Sequence, residues 1–513
     1  MVAYPRRQPA AVDHGLRVAK RPCQALSSTY DPGLADDAVS LPRLLFDIHF
    51  WTFLTVLCRF LLQVLKESWF GGGNRNHAEM LAAKAVRIRQ LLTDLGPTFV
   101  KVGQFLSMRR DLLPNEVVTE LSKLQDAVPA FALAIVRQSI AADLGGQPEQ
   151  LFSHFETEPI AAASIGQVHR ARLLDGASVV VKVQRPDLAR RFYRDLGYMR
   201  AIAKIAGMTG AGERAPAWMD LVDEFGRVLF AEIDYIQEGR NADRLRQSLR
   251  HRPRIKVPRV IWQYTGRKVL TLEYLPATKI DNLPELKRRR IDLRDLGNLL
   301  VECYLEQVLL CGFFHADPHA GNLAVDEQGR LIIYDFGVMG EISSQQKEAF
   351  AGCLRALVAG DANKAAVHLE ELGIVRQAAG NEPLVRTLTD LLACYHGKEI
   401  LDLDFARLEQ DVDSLIAGRA LQLPPSLACV VRAGSSVDGL ARTLKPGFNF
   451  AQAARRVVGR LAGGSHYRFW MAQGAALAGA EAPARRPASA EIRGYQHPPI
   501  NIVNDKRAGS RPG

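Results

Sequence analysis

The run FHADPHAGNLAVDEQGRLIIYDFGVMG, residues 314–340, limits the possible folds of this chain more than any other stretch. Asp317 is followed five residues later by Asn322, and thirteen residues after that comes Asp335, inside Asp-Phe-Gly. The H-x-D-x-x-x-x-N spacing is that of a phosphotransferase catalytic loop. In such a loop one carboxylate orients or deprotonates the nucleophile, while the Asn and the second Asp hold magnesium against phosphates. Magnesium takes few protein oxygens and keeps its other positions for phosphate and water, so one Asn and one Asp suffice. Alone, a His-Asp pair reads as a turn with local hydrogen bonds, and D-F-G recurs by chance. Their joint spacing, flanked by an apolar helix and a hairpin, is much harder to reach by coincidence.

Upstream, Ile160, Ala161, Ala162, Ala163, Ser164, Ile165, Gly166, Gln167 and Val168 precede a lysine, Lys182, set centrally in the β-rich run SVVVKVQ. The layout is that of a phosphate-covering loop between two strands, with alanines where such loops usually carry glycines. Each alanine adds a Cβ and restricts the backbone, so the loop is expected to be stiffer and to set phosphates differently. On its own Lys182 reads as an edge-strand lysine facing water. After a small-residue loop and a hairpin strand, it suggests a lysine holding the α and β phosphates. Such a lysine needs an acidic partner, and AEIDYIQEGRN offers Glu232, Asp234 and Glu238. Residues 232 and 238 are six apart, roughly 120° out of alignment on one helix, so they should not serve one partner identically. Glu232 is the first choice for Lys182, with Glu238 the second.

The surrounding pattern is α+β. Residues 77–146 read as helical, with Pro97 opening one helix, Pro114-Asn115 another, and Gly145-Gly146 closing a third. Val168–Leu174 and Ser178–Gln184 form a hairpin on the turn Asp175-Gly176. A long helical region follows from about Asp187 to Leu249. Val257–Glu273 suggests a second hairpin on Thr265-Gly266, and helices dominate beyond Pro276 apart from the strand-like runs NLAV and RLIIYDF. The implied divisions are a basic tail (1–40), an apolar segment (41–75), a helical extension (76–150), a small β-rich lobe (151–276), a mainly helical lobe (277–462) and a second tail (463–513).

Composition adds limits. The chain has 47% hydrophobic and 24% charged residues, ordinary values for a globular protein, and a net charge of +11, much of which sits in the terminal stretches 1–22 and 484–513. The tails are expected to be disordered, and no nucleic-acid partner is expected. Seven scattered cysteines without a C-x-x-C pair indicate neither a disulfide framework nor a zinc site, which fits a reducing, cytoplasmic setting. In Leu41–Phe70 only eleven uncharged residues separate Asp47 from Arg59, whereas a spanning helix wants about 20 apolar residues. The segment fits an interfacial helix and a buried packing helix equally well.

The motifs KVGQ, AAAS, the Lys182 strand, EIDYIQEGRN, FHADPHAGN and DFG occur here in one order. In that order they resemble the UbiB/ADCK (AarF) family of atypical kinase-like proteins, with a flavour closest to the branch of photosynthetic lineages. The resemblance implies a protein-kinase-like two-lobed fold with a family-specific N-terminal helical extension, and ATP and magnesium as cofactors. It also implies Asp317 as the catalytic carboxylate, Asn322 and Asp335 as metal ligands, Lys182 as the phosphate-binding lysine, and Glu273, Tyr274 and Leu275 as the hinge against adenine. Lys101 and Gln104, three apart on one helical face, would reach over the active site. Against ordinary protein kinases the chain lacks the glycines of the loop, carries His319 two residues after Asp317 where lysine is usual, and has no A-P-E after D-F-G. Within the family pattern, Ala320 replaces a usual proline and Gly166 a common alanine.

The leading expectation is therefore a magnesium-dependent ATP-binding atypical kinase or ATPase. By the resemblance it would work with lipid- or quinone-pathway enzymes, in peripheral contact with a membrane. The alternatives are a small-molecule kinase of the aminoglycoside or choline type and a nucleotide-gated scaffold without phosphoryl transfer.

Overall fold

The computed structural model describes residues 30–38, 47–70, 77–107, 113–124, 129–208, 215–358, 360–374 and 424–449, with isolated positions 384–386, 388, 389, 453 and 457. All lie within one compact unit spanning residues 1–462. The tails expected to be disordered fall outside the described residues, apart from 30–38 at the end of the first.

The N-terminal part is helical: α1 (Pro32–Ala38), α2 (Ile48–Phe70), α3 (His77–Leu95), α4 (Pro97–Ser107), α5 (Asn115–Leu121) and α6 (Leu133–Leu144). The punctuation read from sequence recurs here. Pro97 stands at the first position of α4, where its missing N–H costs nothing, and Gly145 ends α6 at φ +80°. The apolar segment folds as α2, whose Phe53 is buried against Phe99 at 5.5 Å and Tyr198 at 5.2 Å between ring centroids. Asp47 accepts the Tyr198 hydroxyl at 2.8 Å. Core packing thus claims the first half of α2, although Trp51 and Leu62 remain exposed. Among the described residues no helix is long and apolar enough to cross a membrane.

The small lobe is a five-stranded sheet in the order β1 (His154–Phe155), β3 (Gly166–Arg172), β4 (Ser178–Gln184), β6 (Val269–Glu273), with β2 (Ala161–Ala162) also paired to β3. The β3–β4 hairpin turns at Asp175-Gly176, with Gly176 at φ +88° and the Asp175 side chain accepting from Ala177 N–H at 2.9 Å. Gly166 has no room for a side chain, since a Cβ there would lie 2.6 Å from both Val183 O and the Tyr235 hydroxyl. Behind the sheet, Val136 and Ile140 of α6 pack on Val179, Val181 and Val183.

Three helices follow: α7 (Leu188–Met208), α8 (Ala215–Glu232) and α9 (Tyr235–Ser248). The second expected hairpin is only half formed. Its first arm pairs on the outer edge of β6 only around Val260–Leu272, through Ile261 N–H to Thr271 O at 2.9 Å and Glu273 N–H to Arg259 O at 2.8 Å, and then coils into a 3-10 turn at Trp262–Tyr264. The larger lobe contains α10 (Leu293–Glu306), α11 (Ser344–Val358), α12 (Ala362–Glu371) and α13 (Pro425–Leu444). Its sheet runs β5 (Ile255–Lys256), β10 (Leu331–Ile333), β9 (Leu323–Val325), β7 (Thr278–Lys279), beside the pair β8 (Phe313–His315) and β11 (Met339–Glu341). The strands β8 to β11 hold the two ends of the Asp317–Asp335 run in fixed register. After Asp-Phe-Gly, β11 pairs back on β8 and α11 starts at Ser344, so the chain builds no long activation segment.

Candidate active site

A cleft of about 580 Å³ lies between the two sheets and is lined by Ala161, Val168, Lys182, Leu272, Asp317, Asn322 and Asp335, among others. Register places Lys182 opposite Val168 in β3 and Leu270 in β6, so its side chain leaves the middle of the sheet toward the cleft. Its ammonium donates to Glu238 Oε1 at 2.7 Å and Oε2 at 2.9 Å, and stands 3.8 Å from Asp335 Oδ2. Burial works against that charge, but Asp335 and Glu238 outweigh it and hold the lysine above its ordinary pKa.

The first choice for the partner of Lys182, Glu232, is corrected by this geometry. Glu232 ends α8 and pairs with Lys101 at 3.1 Å, whereas Glu238 lies in the first turn of α9. The helix breaks between the two residues, where Asp234 caps α9 by accepting from Gln237 N–H at 3.0 Å. Each acid of EIDYIQE therefore has a separate task, and an argument from one continuous helix could not assign them. The break is fixed to β4 by Gln184, whose amide donates to Ile233 O at 2.7 Å.

The loop from His315 to Asn322 is built from local backbone bonds. Asn322 N–H donates to His319 O, and Tyr334 N–H to Asn322 O. Buried His315 accepts Asp317 N–H on Nδ1 at 3.2 Å and donates from Nε2 to Tyr334 O at 3.2 Å. Burial lowers its pKa, in keeping with a neutral ring fixed in one tautomer. Asp335 sits at φ +57°, an uncommon backbone state for a residue other than glycine, and its Oδ1 accepts Gly337 N–H at 3.1 Å. Burial would raise its pKa, yet Lys182 and that hydrogen bond hold it down at about 2. The Asn322 amide donates to Asp317 O at 3.2 Å through its nitrogen, which leaves its side-chain oxygen to accept in the cleft that Asp335 also lines. An amide oxygen and an ionised carboxylate form a donor set suited to magnesium.

Sequence reasoning gave no hint of Arg432. From α13 it donates to Asp317 Oδ1 at 2.7 Å, while His319, in the usual lysine position, stands 3.9 Å from Oδ2. The cation beside Asp317 thus arrives from 115 residues away. One turn further along α13, Ser436 donates to Pro318 O at 3.3 Å.

Other expected residues divide. Ile160, Ala161, Ala162, Ala163, Ile165, Gly166, Val168, Glu273, Tyr274, Leu275 and Lys101 line the cleft. Ser164 and Gln167 are buried away from it, at 2% and 1% exposure. Strand alternation separates Gln167 from Val168, since consecutive residues of β3 face opposite ways. Gln104 also stays off the cleft, its amide donating to Leu124 O at 3.2 Å. At the hinge, the Tyr334 hydroxyl donates to Leu275 O at 3.0 Å, tying the residue before Asp335 to the segment expected to meet adenine.

Comparison with known proteins agrees with this geometry. The model of the ABC1 atypical kinase-like domain matches residues 123–369. The chain is 39% identical over 411 residues to the uncharacterized protein sll1770 of Synechocystis, over 80% of this chain and 70% of that one. It is 38% identical over 417 residues to the chloroplastic protein ACTIVITY OF BC1 COMPLEX KINASE 7 of Arabidopsis thaliana, over 79% of this chain and 59% of that longer one. The solved complex of Rv3197 with erythromycin, from Mycobacterium tuberculosis, shares the fold at a TM-score of 0.53 and 23% identity, covering 74% of this chain and 97% of that one. With its kinase-like cleft and relatives in cyanobacteria and plants, the chain belongs to the ABC1 atypical kinase-like family, as its ordered motifs led one to expect.

Proposed function

We propose that this protein is a magnesium-dependent, ATP-binding atypical kinase or ATPase that supports isoprenoid-quinone or prenyl-lipid metabolism, in the cytoplasm and in peripheral contact with a membrane. The observation that carries the nucleotide chemistry is the convergence of Lys182, held by Glu238 and Asp335, with Asp317 and Asn322 in one cleft. In this reading Lys182 binds the α and β phosphates, Asn322 and Asp335 hold magnesium, and Asp317 orients the attacking hydroxyl or water. Bound magnesium supplies neutralisation of the phosphate charge. The short path from Asp335 to α11 offers no peptide platform, which favours a small or lipid-linked acceptor, or water. The membrane and quinone parts of the proposal rest on the family resemblance and on the exposed Trp51 and Leu62 of α2. The proposal is tested by magnesium-dependent nucleotide binding and turnover in the wild type, Asp335→Asn and Lys182→Ala. Unchanged behaviour in both variants overturns it.

One observation favours a second reading, a nucleotide-gated scaffold. The Asp317 carboxylate is already engaged by Arg432, an arrangement compatible with a site that binds nucleotide without transferring phosphate. Full complementation of a deletion strain by Asp317→Asn would select the scaffold.

A further inference from the structure

Pro129–Phe131 leads into α6 within the helical extension and belongs to no strand, yet Phe131 is bonded to a β3 side chain as a neighbouring strand would be to its backbone. Phe131 N–H donates to Gln167 Oε1 at 2.8 Å, and Gln167 Nε2 donates back to Phe131 O at 3.3 Å. The amide thus reproduces the two-way exchange of a hydrogen-bonded strand pair. Gln167 Nε2 also donates to His169 Nε2 at 2.9 Å, and His169 Nδ1–H donates to Glu156 O at 2.8 Å. Both side chains are buried, and each has its polar atoms partnered.

A second side chain joins the same segment to the alanine hairpin. Arg185, just past β4, donates to Pro129 O at 2.6 Å and to Ala163 O at 3.4 Å. Its guanidinium lies 5.1 Å from the Phe131 ring centroid, and its backbone N–H donates to Ile165 O at 2.8 Å. The hairpin itself holds little. β2 has two residues, the tip closes on one bond from Ala163 N–H to Gly166 O at 2.8 Å, and methyl side chains cannot anchor it by hydrogen bonds.

We infer that Pro129–Phe131 is a strap that sets the position of the hairpin tip over the nucleotide phosphates, with Gln167 and Arg185 as the positioning residues that transmit it. The inference rests on the ATP-binding reading above. It explains why the hairpin works with alanines at 161–163: the tip is held from outside by the extension instead of folding down freely over phosphate. Gln167, expected at the nucleotide, acts one layer behind it. Because the tip covers phosphates while the hinge meets the base, loosening the strap should weaken polyphosphate binding and spare nucleoside binding.

The test is titration of the full-length wild type, Arg185→Ala, Arg185→Lys and Gln167→Glu with MgATP and, separately, with adenosine, with thermal melting of each variant alongside. Arg185→Ala is expected to bind MgATP about tenfold more weakly and adenosine within about twofold of wild type. Arg185→Lys should fall between, since an ammonium cannot serve two carbonyls while lying flat on a ring. Gln167→Glu keeps the acceptor for Phe131 N–H and loses the donor to Phe131 O, so it should share the selective loss even if Arg185→Ala fails to fold. Parallel loss of MgATP and adenosine affinity, as a purely structural role would produce, overturns the inference. So does unchanged MgATP affinity in the variants of an ATP-binding wild type. A wild type that binds no MgATP overturns the ATP reading itself, and the strap's role with it.

Discussion

Replacing Arg432 by alanine should slow turnover without weakening nucleotide binding. The Arg432–Asp317 hydrogen bond is 2.7 Å long, and both side chains are about one-third exposed, 32% and 33%. A shielded charge-assisted bond contributes about 1.5–3 kcal/mol, while a fully exposed ion pair contributes under about 1 kcal/mol. At one-third exposure the intermediate value, about 1–1.5 kcal/mol, corresponds to a five- to tenfold change in rate. Arg432 is not among the residues lining the cleft, so the loss belongs to the orientation of Asp317 and not to the hold on ATP. The Ser436 contact to Pro318 O keeps α13 docked on the Asp317 loop in the variant. The assay is steady-state magnesium-dependent ATP turnover, paired with direct measurement of MgATP affinity. Arg432→Lys should recover part of the rate, because it restores charge without the planar fork. A rate that is unchanged or raised, or an affinity that falls in step with the rate, would refute the argument that Arg432 positions Asp317.

Three further outcomes follow from the geometry. Glu238→Gln breaks a buried ion pair, and should lower MgATP affinity by roughly 30-fold or more, whereas Glu232→Gln, whose partner is Lys101, should change it less than about threefold; isothermal titration of the two variants compares them directly. Gly166→Ala places a Cβ against Val183 O and Tyr235, and should destabilise the fold by about 2 kcal/mol in denaturant unfolding, because a well-packed site accepts no added carbon. Burial lowers the pKa of both His169 and His315 in the folded state. Their unfolded forms therefore take up protons first as the pH falls. Stability should be level above neutrality and decline below about pH 6.5, with a shallower decline in His169→Gln, read from melting temperature against pH.

What could be read from the sequence was chemistry packed into short spans. Asp317, Asn322 and Asp335 lie within one loop-strand-strand unit, so their spacing fixes their relation almost regardless of the rest of the chain. Pro97, Gly145 and Asp175-Gly176 are likewise local, since a missing N–H or a positive φ acts at one residue. The assignments that failed needed a fact held elsewhere. The choice between Glu232 and Glu238 turned on a helix break capped by Asp234, a residue first read as a third candidate acid. The first arm of the second hairpin leaves β6 after Ile261, where Thr265 and Thr271 side chains take over the bonds that a longer strand would make. Arg432 reaches Asp317 across 115 residues, and Arg185 reaches Pro129 across 56, with no periodicity to announce either. These long-range cations stand where this site departs from an ordinary kinase: one beside the carboxylate that lacks its neighbouring lysine, the other behind the loop that lacks its glycines. Local motifs thus specify the kinase-like set of side chains, while the long-range contacts determine what holds them in place. That second property is what separates a mobile protein-kinase loop from the braced hairpin seen here.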